Sequence, residues 1–182
     1  VKYGWMSDGD VGGWVEGNGA ALCGGEEAVG IGAVKTSCRA KAAIVAEDEQ
    51  ESGRGALLKL GHTFGHALEA ETGYCERRLH GESVAIGMVL AFDLSVRLGL
   101  CPAEDCERVA RHFQDVGLPT SPADIAGEKL APEALLAHMA QDKKVRDGAI
   151  TFVMARGIGQ AFLTEDIGNE DLLALLQDHL AV

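Results

Sequence analysis

The spacing of apolar residues predicts a mostly helical chain whose helical period is interrupted once, near its C-terminal end. Helical spacing is found over 37–46, 56–71, 81–98, 103–116 and 169–180, and another helix begins at Pro132 and reaches about residue 144. Ser37 is a candidate N-cap, while Gly99 and Gly117 stand where two helices should end. The glycine- and alanine-rich segment 16–31 has no clear period, and we interpret it as a loosely helical surface segment.

The helical period gives way to short extended runs between residues 149 and 163. The runs 149–154 and 160–163 flank Gly157-Ile158-Gly159, which predicts a β-hairpin. No βαβ alternation, internal repeat or GxGxxG fingerprint is visible. The predicted fold class is therefore mainly α, with a small β-hairpin near 149–163.

Composition and charge narrow the classes of protein to consider. A chain of 182 residues with 47% hydrophobic content is long enough for one buried core, and its net charge of −12 argues against a nucleic-acid surface. The most apolar stretch, 83–100, contains Asp93 and Arg97 and therefore predicts a buried helix instead of a membrane span. The first residues lack the apolar core of a signal peptide, and five cysteines without CxxC spacing favour free thiols. We expect a cytoplasmic protein that has neither a nucleic-acid nor a membrane partner.

Three histidines are the strongest indication of chemistry in the chain. His62 and His66 lie four residues apart, so a helix places both on one face, and His80 heads the next helical segment. Neutral imidazole is a good ligand for zinc-like metals. The spacing alone also fits two ordinary helix residues. Two further features favour a metal or substrate site. A glycine precedes each histidine of the pair and leaves room for a close approach, and a third histidine follows.

Several motifs, taken in order, resemble the metal-binding C-terminal domain of the 3-dehydroquinate synthases. They are Val1-Lys2-Tyr3-Gly4, Lys41 with Val45-Ala46-Glu47-Asp48-Glu49, Gly61-His62-Thr63-Phe64-Gly65-His66-Ala67-Leu68-Glu69, Leu79-His80-Gly81-Glu82, Asp142-Lys143-Lys144-Val145-Arg146 and Arg156-Gly157-Ile158-Gly159. The resemblance covers residues 1–182 and implies a dehydroquinate synthase-like C-terminal helical domain. It also implies that the N-terminal NAD-binding domain of these enzymes is absent from this chain.

The resemblance implies an activity in the shikimate pathway, which leads to chorismate and the aromatic amino acids. Enzymes of this family convert 3-deoxy-D-arabino-heptulosonate 7-phosphate, a sugar acid phosphate, to 3-dehydroquinate and phosphate. They use NAD and a divalent metal, zinc or cobalt, and the full-length enzymes are usually homodimers. Because the NAD site lies mostly in the other domain, we expect this chain to be inactive alone.

The resemblance also implies roles for individual residues. His62 and His80 match the metal ligands, while His66 matches a catalytic residue that faces the substrate and moves protons. The remaining matches are to catalytic or substrate-binding positions: Lys2, Lys41, Glu51, Lys143 and Lys144. Arg54 and Lys59 are further candidates for substrate binding, Arg54 as a partial substitute for a family arginine at the position of Gly55. No residue of this chain is assigned to NAD.

Three departures from the family pattern affect the predicted site. The third metal ligand, a glutamate two positions before the Val-Lys-Tyr-Gly motif, is not in this chain. Gly55 and Lys59 stand where the family commonly has arginine and asparagine. Lys59 precedes His62 by three residues on nearly the same helical face, so we predict that its charge disfavours a dication or turns toward the substrate phosphate.

Other functions remain open on the sequence alone. One is a different sugar phosphate cyclase, such as a 2-deoxy-scyllo-inosose synthase, and another is a metal-dependent alcohol dehydrogenase such as glycerol dehydrogenase. The departures favour a third, a non-catalytic domain that keeps the fold and binds metal. We interpret His112, His138 and His179 as surface histidines without partners, and Trp5 and Trp14 as packing residues.

Overall fold

Helices account for most of the chain. The computed structural model describes residues 2–48, 53–73, 79–125, 130–141, 145–146 and 149–181. In chain order the elements are α1 (Lys2–Ser7), α2 (Gly9–Cys23), α3 (Glu27–Glu47), a 3₁₀ helix (Arg54–Lys59), α4 (His62–Glu71), α5 (His80–Arg97), α6 (Ala103–Asp115), a second 3₁₀ helix (Pro122–Asp124), α7 (Pro132–Gln141), β1 (Val145–Arg146), β2 (Ala149–Ile150), β3 (Phe152–Ala155), β4 (Ala161–Thr164) and α8 (Asn169–Leu180). The predicted class, mainly α with a small hairpin, is confirmed. None of the described helices is long and apolar enough to cross a membrane.

Helix α5 is the centre of the core. Its residues are buried from Ser83 to Ser95 with the exception of Asp93, and α4, α6, α8 and β3 pack around it. The apolar run that predicted a buried helix is thus explained by contact on every side. Gly99 and Gly117 adopt positive φ values of 70° and 76° just after α5 and α6, as predicted for residues that end helices.

The predicted hairpin forms, but it is shorter at its start than the sequence pattern suggested. Strands β3 and β4 are antiparallel, with Phe152 opposite Thr164 and Ala155 opposite Ala161. All four residues of β3 are buried. The Ser95 hydroxyl of α5 accepts a hydrogen bond of 3.1 Å from the Ala155 amide, which attaches the hairpin to the central helix. Ala149 and Ile150 pair instead with β1, in a separate two-stranded ladder.

One expectation for the first third of the chain is wrong and another is confirmed in part. Ser37 does not cap a helix, because α3 begins ten residues earlier at Glu27 and Ser37 lies in its interior. The segment 16–31 is helical and lies mostly at the surface, as expected, but it consists of the end of α2 and the start of α3, separated at Gly25 with φ +78°. Glycine at positive φ ends the first helix, and the alanines beyond it favour the second.

Candidate metal site

Glycines bring α4 and α5 unusually close together. Gly61 adopts φ +80° just before α4, and a Cβ there would lie 2.7 Å from the Met88 amide nitrogen and the Val84 carbonyl oxygen of α5. A Cβ on Gly65 would lie 3.1 Å from the Ser83 carbonyl oxygen. The glycines before His62 and His66 therefore do allow a close approach, and what approaches is the backbone of α5.

The break at Gly61 corrects the predicted histidine helix. Residues 56–71 do not form one helix, because the 3₁₀ helix ends at Lys59 and α4 begins at His62 after a residue in the left-handed region. Lys59 and His62 thus belong to different elements, and the argument that placed them on one helical face does not hold. Lys59 is half-buried at the end of the 3₁₀ helix.

The packing of α4 on α5 gathers the three histidines predicted from the sequence. The ring centroid of His62 lies 5.4 Å from that of His66 and 5.5 Å from that of His80. The rings of His66 and His80 lie 6.0 Å apart and are nearly parallel, at 29°. Within the described residues, no set of three His, Cys, Asp or Glu side chains is arranged to hold a metal ion. The cluster therefore offers part of a metal site.

The environment of His62 prepares it to act as a neutral ligand. Its Nδ1 lies 3.2 Å from the Leu60 carbonyl oxygen, an acceptor without a proton, so Nδ1 carries the hydrogen and donates it. Burial, and after it the charge of Lys2, lower the pKa of His62 from 6.5 to about 4, against the opposing effect of the Leu60 carbonyl. At neutral pH the ring is uncharged and its Nε2 carries a lone pair, which is the form that binds a metal.

His80 has a corresponding arrangement on the other helix. Its Nδ1 lies 2.7 Å from Oε1 of Glu69, and the carboxylate can only accept, so Nδ1 donates here too. Both predicted ligands thus commit Nδ1 to a protein acceptor and leave Nε2. Metal-binding histidines usually donate their second ring N–H to a carboxylate or a carbonyl in this way. Sequence reasoning placed Glu69 in a motif but missed this contact.

The structure places Lys2 near the histidine cluster. It is the first residue of α1, and its Nζ donates a 2.7 Å hydrogen bond to the Leu58 carbonyl oxygen in the 3₁₀ helix. Its charge is, after burial, the second cause that lowers the pKa of His62. A cation at this position suits an anionic ligand held by the histidines.

The other predicted site residues have different placements. Lys41 is exposed on α3, and Arg54 forms an exposed ion pair of 2.7 Å with Glu47. Arg54 therefore points to α3 and does not replace the family arginine at Gly55. Glu51, Lys143 and Lys144 lie outside the described residues.

The interpretation of the other three histidines as surface residues without partners is wrong. His112 is 5% exposed, and its ring packs edge-on against fully buried Trp5 at 5.5 Å. Nε2 of His138 lies 2.8 Å from Oε2 of Glu71. Nε2 of His179 lies 2.8 Å from Oδ2 of Asp93. The helical pattern around each histidine predicts a polar side chain on that face. It does not predict the partner from another helix, whether a carboxylate or an aromatic ring.

Comparison with known proteins places this arrangement in a family. Residues 1–145 match the family described as 3-dehydroquinate synthase C-terminal. The chain belongs to that family. It is 55% identical over 185 residues to the 3-dehydroquinate synthase of Rhodospirillum rubrum and 54% identical over 181 residues to that of Ruegeria pomeroyi. Both matches cover 100% of this chain, which spans 47% and 49% of those relatives, about half of their length.

A solved structure shows the same architecture. It is ValA, the 2-epi-5-epi-valiolone synthase of Streptomyces hygroscopicus subsp. jinggangensis 5008, solved with NAD+ and Zn2+ bound. The TM-score is 0.81 and the sequence identity 25%, over 99% of this chain and 48% of that one. The fold expected from the 3-dehydroquinate synthase resemblance is thus supported by family and by structure.

Proposed function

We propose that this chain is the metal- and substrate-binding part of a 3-dehydroquinate synthase. The reaction would convert 3-deoxy-D-arabino-heptulosonate 7-phosphate to 3-dehydroquinate and phosphate, with NAD and a divalent metal. The observation that carries the proposal is the convergence of His62, His66 and His80, in which both predicted ligands commit Nδ1 and leave Nε2. The high identity to enzymes of that name supports this choice of reaction.

The residues present fit a divalent metal such as zinc or cobalt. His62 and His80 would hold it through Nε2, with further ligands from outside the described residues. A metal bound there would supply Lewis-acid chemistry, lowering the pKa of a bound hydroxyl and polarising a carbonyl. Its identity, zinc or cobalt, is part of the proposal.

The remaining roles follow from position and charge. His66 faces the same space as the two ligands, at 5.4 Å and 6.0 Å between ring centroids, and we assign it proton transfer to and from substrate. Lys2 would attract the carboxylate or phosphate of the substrate, which a protein of net charge −12 otherwise repels. The assignments of Lys41, Glu51, Arg54, Lys59, Lys143 and Lys144 stay predictions, as do the homodimer and the cellular location.

One observation favours a second candidate, a domain that binds metal without turnover. A Cβ on Gly55 would lie 2.8 Å from the Asp48 carbonyl oxygen, so the family arginine has no room here, and Arg54 is held by Glu47. A different sugar phosphate cyclase is less well supported, since ValA is 25% identical whereas the two named 3-dehydroquinate synthases are 54% and 55% identical.

Phosphate release measures the proposed activity directly. The sugar acid phosphate, NAD and zinc are supplied to this chain alone and to this chain joined to the rest of the Rhodospirillum rubrum relative. We expect activity in the joined protein only, and its loss in the His66→Ala and His62→Ala variants. If the joined protein folds and binds zinc but releases no phosphate, the enzyme proposal is overturned and the non-catalytic domain is favoured.

A further inference from the structure

We infer that Glu69 is a positioning residue, which fixes the ring of His80 so that Nδ1 carries the hydrogen and Nε2 is left for a metal. The inference rests on the proposed metal site and extends it to a carboxylate. The 2.7 Å contact between Oε1 of Glu69 and Nδ1 of His80 joins α4 to the start of α5.

Helical spacing places Glu69 beside the cluster. His62, His66 and Glu69 follow one another at i, i+4 and i+7, so they form one stripe along α4. His80 comes from the first residue of α5 and meets the end of that stripe. One face of α4 thus presents two imidazoles and the carboxylate that holds the third.

The two partners differ in how firmly the protein holds them. The side chain of Glu69 is 16% exposed, whereas that of His80 is 59% exposed. A half-exposed side chain at the first residue of a helix can populate several rotamers, and ordering it on metal binding costs conformational free energy. The more buried carboxylate of Glu69 keeps the His80 ring in one orientation before metal binds, so less conformational entropy is lost on binding.

The contact also determines which nitrogen of His80 can bind a metal. The carboxylate accepts a hydrogen bond, so the hydrogen stays on Nδ1 and the lone pair of the neutral ring stays on Nε2. A carboxylate behind a ligating histidine makes the ring a stronger donor, and removing such a partner typically lowers metal affinity about 10- to 100-fold. Nδ1 of His62 donates to the neutral Leu60 carbonyl. Of the two proposed ligands, only His80 thus has a charged hydrogen-bond partner, Glu69.

The same helix offers a matched control. Glu71 lies two residues further on, is 26% exposed, and contacts Nε2 of His138 at 2.8 Å. This is also a carboxylate–histidine contact between α4 and another helix, α7, but it involves none of the three clustered histidines. A loss caused only by removing such a contact would appear in Glu71 variants as well.

Cobalt titration and NMR of the 182-residue chain test the inference. Cobalt affinity is compared in the unsubstituted chain, Glu69→Gln, Glu69→Ala and Glu71→Gln, with thermal unfolding of each. We expect about a tenfold loss for Glu69→Gln, up to about 100-fold for Glu69→Ala, and no change for Glu71→Gln. Long-range ¹H–¹⁵N spectra without metal should show the Nδ1–H tautomer for His80 in the unsubstituted chain and a shift toward Nε2–H in Glu69→Ala.

The outcomes separate this inference from the proposed function. Failure of the unsubstituted chain to bind cobalt would overturn the metal site and with it the positioning role. Cobalt binding that is equal in the unsubstituted chain and both Glu69 variants would overturn the positioning role alone. An equal loss of affinity in Glu69→Gln and Glu71→Gln would also overturn it, because the effect would then be one of general stability.

Discussion

Replacing Gly87 with alanine tests whether the close contact of α4 and α5 assembles the histidine cluster. Gly87 lies in the buried part of α5, where the backbone of α4 comes nearest. A Cβ at this position would collide with the Gly61 carbonyl oxygen and would lie 2.9 Å from the carbonyl carbon and 3.0 Å from the Gly65 nitrogen. All three atoms belong to the backbone, so no side chain can turn aside to make room.

The size of the effect follows from these distances. Ordinary contact begins at 3.4 Å, so the helices must separate by at least about half an ångström to relieve the carbon contact, and further to clear the oxygen. Overpacking of this kind typically costs about 1–3 kcal/mol, and we expect the upper end because both sides are backbone. For a chain of this length, 3 kcal/mol corresponds to a fall in Tm of about 6–12 °C.

The same separation should disturb the proposed metal site, since it moves His80 away from His62 and His66. Thermal unfolding and cobalt titration of Gly87→Ala therefore measure two consequences of one displacement. Gly81→Ala is the matched control, because Gly81 is in the first turn of the same helix and a Cβ there would meet nothing within 4 Å. Alanine at Gly81 should leave Tm unchanged or raise it, because glycine destabilises a helix relative to alanine.

If Gly87→Ala has the same Tm as the unsubstituted chain, a Cβ fits between α4 and α5 and the predicted overpacking does not occur. A lowered Tm with unchanged cobalt affinity would mean that the helices can move apart without disturbing the histidines. Assembly of the cluster would then not depend on the close contact, although the contact itself would still be too tight for a Cβ.

Three further predictions concern other contacts. The pKa of His62 is lowered to about 4, chiefly by burial, so between pH 6.5 and 4 the unfolded chain binds a proton that the folded chain does not. The free energy of unfolding of the metal-free protein should therefore fall as the pH falls from 6.5 to 4. Urea unfolding should show a smaller fall in His62→Gln. The His179 hydrogen bond lowers the pKa of Asp93, so the ionised carboxylate stabilises the fold above pH 3.8, and this stabilisation is lost as the pH falls through the lowered pKa. His179→Ala should lower the free energy of unfolding by about 1 kcal/mol at pH 7. An unchanged urea midpoint would contradict this prediction. Gly55→Arg should lower Tm, because its Cβ would press on the Asp48 carbonyl oxygen at 2.8 Å, and an arginine accommodated without loss would remove the argument for a non-catalytic domain.

Much of the fold could be predicted because the relevant signals are local. The period of apolar residues located α5, α6 and α8 to within a residue or two, and Gly99 and Gly117 ended helices as expected. The break at Gly61 was not predictable in the same way. A glycine inside a helical pattern is usually tolerated, and here the backbone of α5 occupies the space that a Cβ would need. That constraint comes from a residue more than twenty positions away.

The site could be predicted in part, for a related reason. Motif spacing brought His62, His66 and His80 together correctly. It placed Lys59 on a helical face that does not exist. The family resemblance named Lys2 as a site residue, but the spacing of residues did not predict its contact with the 3₁₀ helix or its effect on the pKa of His62. Distances between separate elements depend on tertiary packing, which the spacing of residues along the chain does not record.

The histidine–carboxylate pairs show how the proposed ligand His80 differs from two structural histidines in this fold. His138 and His179 each direct Nε2 to a carboxylate, of Glu71 and Asp93 respectively, at 2.8 Å. Their outer nitrogen is therefore committed to holding helices together. His80 commits Nδ1 to its carboxylate and keeps Nε2, the nitrogen furthest from the backbone, available to a ligand. The choice of nitrogen depends on whether the carboxylate lies beside the ring or beyond it, which is fixed by the packing of neighbouring helices.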